Sequence, residues 1–176
     1  FNRQGDFEGT MDLTPTLLSG NGRLNFVGAY IDSKYMKFSQ IKCHADTADF
    51  SLKSTDALSD LSFATNNVNA TVDFAKRLVD CKSNGKGSVV RFPVNQYICY
   101  MDRFKWFMDK DEIELSSDEP NKAAQSASDE VALEGPEFIS VNPVQDSLRF
   151  FAPRAKYDTK KHIITAKDVK YINVAD

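Results

Sequence analysis

Apolar residues recur at every second position in short runs, and turn-forming residues separate the runs through most of the chain. Met11 and Leu13 alternate before Pro15, and Leu24 and Phe26, then Ala29, Ile31 and Ser33, alternate after a glycine cluster. Met36 and Phe38, Ile41 and Cys43, Ala48, Phe50 and Leu52, and Val68, Ala70, Val72 and Phe74 continue the pattern. A period of two is the signature of strands with one buried face. The parity changes between Ala45, Thr47, Asp49 and Ala48, Phe50, Leu52, which predicts a bulge near Asp46-Thr47. Gly20-Asn21-Gly22 permits positive φ and suits either a tight hairpin or the corner of a solenoid. Residues 71–79 fit both helical and strand spacing, and strand is preferred through Phe74. The densest apolar stretch, 97–108, predicts a strand in which Phe104, Trp106 and Met108 form the buried face; Ile113 and Leu115 resume the alternation after it.

Leu24-Asn25-Phe26, Leu61-Ser62-Phe63 and Leu148-Arg149-Phe150 share a Leu-x-Phe pattern, each followed at the same distance by an apolar residue, Ile31, Val68 or Ala155. Their unequal spacing describes a recurring two-strand unit rather than a fixed-period array. Two short strands around a corner bury one face only by stacking on neighbours. The expected architecture is therefore all-β: stacked short strands forming an open β-jelly roll or β-solenoid. A long polar loop at about 116–134 interrupts it, rich in Ser, Ala, Asp and Glu and either functional or disordered. Residues 1–176 read as a single β-repeat domain, a piece of a longer repeat protein. An unpaired edge strand is then expected at each end, to be covered by a neighbouring repeat or another copy.

Composition narrows the function classes. A chain of 176 residues with 41% hydrophobic and 27% charged content is long enough for one domain with a real core. A formal charge of -3 gives no electrostatic footprint for nucleic acid. No apolar run approaches the ~20 residues of a transmembrane helix. Thirteen Phe and six Tyr against a single Trp favour strands. Cys43, Cys81 and Cys99 cannot all pair within the chain; they read as buried thiols, and in an oxidising compartment Cys81 with Cys99 is the pair to consider.

Candidate chemistry is sparse. His44 and His162 have no partner at metal-ligand spacing, so no metal and no cofactor is implied. Cys43 and His44 are adjacent on an expected strand and would point to opposite faces, which argues against a thiol–imidazole dyad. Asp46 and Asp49 form a carboxylate pair of the kind a glycosidase uses, although solvated or turn-capping aspartates account for it as well. Asp109-Lys110-Asp111-Glu112 lacks the Gly and Glu of a calcium loop and reads as a charged turn. Asn69-Ala70-Thr71 matches a glycosylation sequon. No catalytic residue is assigned, and the chain reads as a non-enzyme.

The closing stretch, LRFFAPRAKYDTKKHIITAKDVKYINVAD, carries Ala155, Tyr157, Asp158, Ile164 and Ala166 in an order, A-x-Y-D, polar corner, I-x-A, that resembles the organic-solvent-tolerance-like β-jelly-roll repeat of the lipopolysaccharide-transport bridge proteins. The resemblance implies an open, V-shaped jelly roll in the cell envelope, periplasmic or at the surface, whose apolar groove takes lipid or lipopolysaccharide acyl chains and whose repeats stack edge to edge or as homo-oligomers. Phe26, Phe38, Phe50, Phe63, Phe74, Trp106 and Phe150 are the aromatics that line such a groove or, equally, fill a closed core. The function expected is a non-enzymatic envelope scaffold or lipid-binding bridge module. The competing reading is an extracellular carbohydrate- or protein-binding β module with tyrosines and Trp106 stacked on a ligand.

Overall fold

The computed structural model describes residues 4–55, 59–85, 88–117 and 135–174. Five long strands come first: β1 Asp6–Leu13, β2 Leu18–Phe26, β3 Ala29–Phe38, β4 Lys42–Lys53 and β5 Leu61–Asp73. Ten short strands follow: β6 Leu78–Ser83, β7 Val90–Phe92, β8 Tyr97–Tyr100, β9 Arg103–Phe107, β10 Glu112–Ser116, β11 Glu137–Ser140, β12 Arg149–Phe151, β13 Arg154–Asp158, β14 Ile163–Lys167 and β15 Ile172–Asn173. All belong to one antiparallel sheet, open and strongly curled into a half-barrel. The described residues contain no α-helix, only a 3-10 turn at Pro143–Gln145 whose first amide is capped by Asn142.

The sheet divides at β5. One edge of β5 pairs with β4 along its length, whereas the other carries β6 against Val68–Asp73 and β7 against Ala64 and Thr65. From there the chain builds two walls. β6, β9, β10, β13 and β14 form the first, and β7, β8, β11, β12 and β15 the second. Hairpins are laid down alternately: β7–β8 on the second wall, β9–β10 on the first, β11–β12 on the second, β13–β14 on the first. Each of the first five strands spans both walls, and each later layer is a pair of short strands. This is the stacked, open all-β arrangement expected from the alternation.

Cross-strand register turns the period-two pattern into continuous rows. Leu13, Leu18, Phe38, Cys43, Val72, Val79, Trp106, Ile113, Tyr157 and Ile164 stand opposite one another in succession across the first wall. Phe7, Leu24, Ile31, Phe50, Thr65, Val90, Cys99, Phe138, Phe150 and Ile172 do the same across the second. The rows face each other, and their rings meet: Phe7 lies 5.3 Å from Phe38 and Phe50 lies 5.8 Å from Trp106, centroid to centroid. Each large side chain buried this way contributes roughly 1.5–3 kcal/mol of transfer free energy. Outward rows are polar; Asp80, Lys105, Glu114 and Lys156 alternate in sign across four neighbouring strands.

Four hairpins share one turn design that the sequence hides. The β5–β6, β7–β8, β9–β10 and β13–β14 connections each place a non-glycine residue in the left-handed region immediately before the second strand: Arg77 (φ 55°), Gln96 (φ 57°), Asp111 (φ 51°) and His162 (φ 56°). Side chains at the strand ends hold two of these turns: Asp73 accepts from the Lys76 amide, and Asp158 accepts from those of Lys160 and Lys161.

Several sequence expectations are corrected. Gly20-Asn21-Gly22 is neither hairpin nor corner but lies inside β2. Gly22 faces Gly9 across the β1–β2 pair, and a Cβ on Gly22 would stand 2.1 Å from the Glu8 carbonyl oxygen. The glycines allow two backbones to approach, not the chain to turn. Residues 97–108 form two strands on different walls, β8 and β9, because the chain crosses over at Met101-Asp102. The three Leu-x-Phe copies are not equivalent: one closes β2, one opens β5, and the third leads into β12 on the second wall while its Ala155 lies on the first. The bulge near Asp46-Thr47 is present as a register shift between Ala45 and Ala48. Of the polar loop, residues 118–134 lie outside the described residues.

Gly22→Ala is expected to lower unfolding free energy by at least about 2 kcal/mol, since the residue must both abandon φ 151° and displace the Glu8 backbone. Gln96→Gly, at an exposed left-handed position, is expected instead to hold or raise stability, by up to about 0.5 kcal/mol. Urea titration followed by tryptophan fluorescence measures both; a stable Gly22→Ala protein would contradict the close approach.

Candidate functional site

The aromatics named from the sequence are core. Phe26, Phe38, Phe50, Phe63, Phe74 and Trp106 are all buried, and Phe150 packs half-buried against them. Phe50 stands at the centre, with Phe63, Phe104 and Trp106 within 5.9 Å of its ring centroid. Of the two alternatives left by the alternation, groove lining and closed core, burial decides for the core. Trp106 is correspondingly not a surface stacking platform.

The repeat-motif residues divide by face. Ala155 and Tyr157 point inward, Asp158 caps its own turn, and Ile164 and Ala166 form the partly buried last inward positions of the first wall. Tyr157 is the fastening between the walls: its hydroxyl lies 3.2 Å from the Ser62 carbonyl oxygen, to which it donates, and 3.0 Å from His162 Nδ1. Burial pushes its phenol up to about 12, so the hydroxyl keeps its proton. Asn95, at the β7–β8 turn, donates to the His162 carbonyl at 2.6 Å and ties the same hairpin to the second wall.

The three cysteines are free and buried. Cys81 belongs to the first wall and Cys99 to the second, which separates the pair considered from the sequence. Burial pushes the Cys43 thiol up to about 12 and those of Cys81 and Cys99 well above the ordinary range, which keeps all three uncharged.

A polar seam crosses the first five strands where they bend. β3 and β4 are paired from Ala29–Leu52 to Asp32–Asp49 and again at Lys37–His44, but not between. Asn67 adopts φ 54° beside the point where β5 passes from one wall to the other. Local side chains satisfy the backbone groups this releases. Ser33 Oγ donates to the Thr47 carbonyl at 2.7 Å, Asp49 accepts from the Asn67 amide at 3.1 Å, and Asn84 Nδ2 donates to the Asp46 carbonyl at 2.9 Å. Ser88 Oγ donates to the Asn67 carbonyl at 2.6 Å.

Over this seam, on the face away from the core, lies a concavity of about 800 Å³ lined by Glu8, Asn21–Arg23, Asp32–Tyr35 and Asp46–Asp49. Asp46 and Asp49, the carboxylate pair of the sequence, both belong to it. Asp46 accepts from His44 Nε2 at 3.0 Å, and that bond, with the Lys37 ammonium, holds its carboxyl below the usual range. His44 also meets Thr71 Oγ1 at 2.9 Å. Cys43 faces inward while His44 faces outward, as adjacent strand residues must. Arg23 and Asp32 form a two-point ion pair at 2.7 Å, and the Arg23 guanidinium lies 4.0 Å over the Tyr30 ring. Sequence reasoning missed Arg23, Asp32 and Tyr35, because only cross-strand register brings them beside Asp46 and Asp49. Among the described residues no group of His, Cys, Asp and Glu is placed to hold a metal ion. Asp109 and Asp111 are engaged by Arg77 at 3.0 Å and Lys160 at 2.7 Å, which makes that acidic run a pinned turn. Asn69 of the sequon lies within β5.

No family model matches the chain, and no curated protein and no solved structure matches it.

All three thiols are expected to stay unreactive towards Ellman's reagent in the native protein through pH 9, well below about 12 for Cys43, and to react together in guanidinium. A thiol that titrates rapidly in the folded chain would show that its wall opens.

Proposed function

We propose that this chain is a non-enzymatic scaffold module, a segment of a stacked β wall, that joins other such segments through its two open ends. The single observation that carries this reading is the state of the inward rows where the stack stops. Among the described residues β1 pairs only with β2, β14 only with β13, and β15 only with β12. The first-wall row emerges as Leu13, 81% exposed, at one end and as Ile164 at the other; the second-wall row emerges as Phe7 and as Ile172, 61% exposed. The Met11 row, beginning Met11–Gly20–Met36 on this side, lies two residues along β1 from Leu13, and Ala166 lies two along β14 from Ile164.

Placing one copy's β14 and β15 against the next copy's β1 extends each row by one apolar step. Ile164 meets Leu13, Ala166 meets Met11 and Ile172 meets Phe7, and strand directions come out antiparallel on both walls. Charge agrees with this order. β1 contributes Asp6, Glu8 and Asp12 with no base, while the opposite end contributes Lys167 and Lys170. Unpaired edges of this kind require cover.

Lipid carriage is the weaker branch of the scaffold reading, because the aromatics that would line an acyl groove occupy one another's space. The inward apolar rows are open to acyl chains at the ends of the stack. The resemblance of 148–176 to envelope repeats is what supports a cell-envelope setting.

Sedimentation velocity across a protein concentration series is expected to show head-to-tail association that weakens with added salt. Leu13→Lys and Ile164→Lys, each placing a charge in the joint, are expected to return the protein to monomer, and a mixture of the two variants to dimerise without growing further. A monomer at millimolar concentration in low salt would overturn the reading.

A further inference from the structure

We propose that the cleft over the β3–β4 split binds a neutral oligosaccharide. The opening lies where the strands part between the Asp32–Asp49 and Lys37–His44 pairs, an open concavity of about 800 Å³, which is room for a ligand of more than one sugar ring. It extends across β1, β2, β3 and β4, and four strands cover roughly 14 Å, longer than one sugar ring.

The lining suits hydroxyl groups, each of which donates once and accepts twice. Donors and acceptors are both present there. The Asn21 amide and Lys34 ammonium have no side-chain partner among the described residues and are available to a ligand. The other groups are already positioned. Arg23 is fixed by Asp32 and by the Tyr30 ring, and Asp49 is fixed through Oδ1 by the Asn67 amide, leaving Oδ2 for a ligand. Side chains held before binding cost little further ordering when a ligand arrives.

An aromatic face completes the set. Tyr35 lines the cleft, is 47% exposed and protrudes beside the split, where its ring offers a flat apolar surface to the C–H face of a sugar. The charge balance selects among sugars. Glu8, Asp32, Asp46 and Asp49 outnumber Arg23 and Lys34 in the lining, and with the Lys37 ammonium beside Asp46 included the balance is still negative by one charge, so a neutral ligand is favoured over a phosphorylated, sulfated or uronic one. A neutral chain of pyranose rings fits the size, the mixture of donors and acceptors, the ring and the sign of the field together. The site is independent of the stack ends: none of these residues except Glu8 lies on a free edge.

The test is an array of neutral hexasaccharides built on glucose, mannose, galactose and N-acetylglucosamine, with sulfated and phosphorylated counterparts, followed by calorimetry on the best binder. The full chain is expected to retain at least one neutral hexasaccharide. Tyr35→Ala and Asn21→Ala are each expected to weaken it roughly tenfold, while Tyr35→Phe stays within about threefold. Both positions are at the surface, so melting temperature and circular dichroism are expected to remain those of the parent. Retention of none of the neutral glycans, retention of charged ones alone, or parental affinity in both alanine variants would overturn the proposal.

Discussion

β5 is long enough to hydrogen-bond two shorter strands end to end along a single edge, and every later feature of the molecule follows from that pairing. β6 takes Val68–Asp73 and β7 takes Ala64 and Thr65, so the sheet leaves β5 as two walls. A strand that serves two walls must bend between them. The bend breaks ladder hydrogen bonds along a line through β3, β4 and β5, and each broken bond has to be replaced. Ser33, Asp49, Asn84 and Ser88 do this with side-chain oxygens and amides. Asp49, one of the carboxylate pair the sequence offered as candidate chemistry, is therefore spent first on holding the corner.

The walls have to be filled as well as formed. Because inward positions on both are mostly apolar and carry several aromatic rings, the space between them closes around Phe50, Phe63, Phe92, Phe104 and Tyr157. Tyr157 adds a directional bond to this packing, through Ser62 and His162, where packing alone would let the walls slide. The consequence for function is an interior packed with rings at its middle, which leaves the ends of the stack and the concavity over the corner as surfaces for partners. Those are the places where the scaffold and saccharide readings lie, and they act on different residues.

An open stack of this type has no intrinsic limit to its length. A barrel removes its edges by closing, whereas two walls joined along one corner keep a free edge at each end. Among the described residues the inward rows end on apolar side chains, Leu13 and Ile172, so the end layers are built like the middle ones. Chain alternation between walls, one hairpin at a time, also means that each new layer rests on a completed one.

What was legible in the chain was local. The period-two alternation at Leu24–Phe26, Val68–Phe74 and Phe104–Met108 determined strands and their inward faces, because side chains on a strand alternate regardless of what they pack against. The parity switch at Asp46-Thr47 marked the bulge for the same reason. Pairing was not legible. Nothing in residues 97–108 tells that Tyr97 and Trp106 belong to different walls, and the glycines at 20 and 22 read as a turn until Gly9 is seen across from Gly22. The turns at Arg77, Gln96, Asp111 and His162 were hidden too, since a left-handed residue that is not glycine leaves no mark in composition. The cleft, finally, joins Arg23, Tyr35 and Asp49 from three strands. Only the tertiary structure brings such residues together, because register across strands is set by the two walls packing against each other and not by any one strand's own pattern.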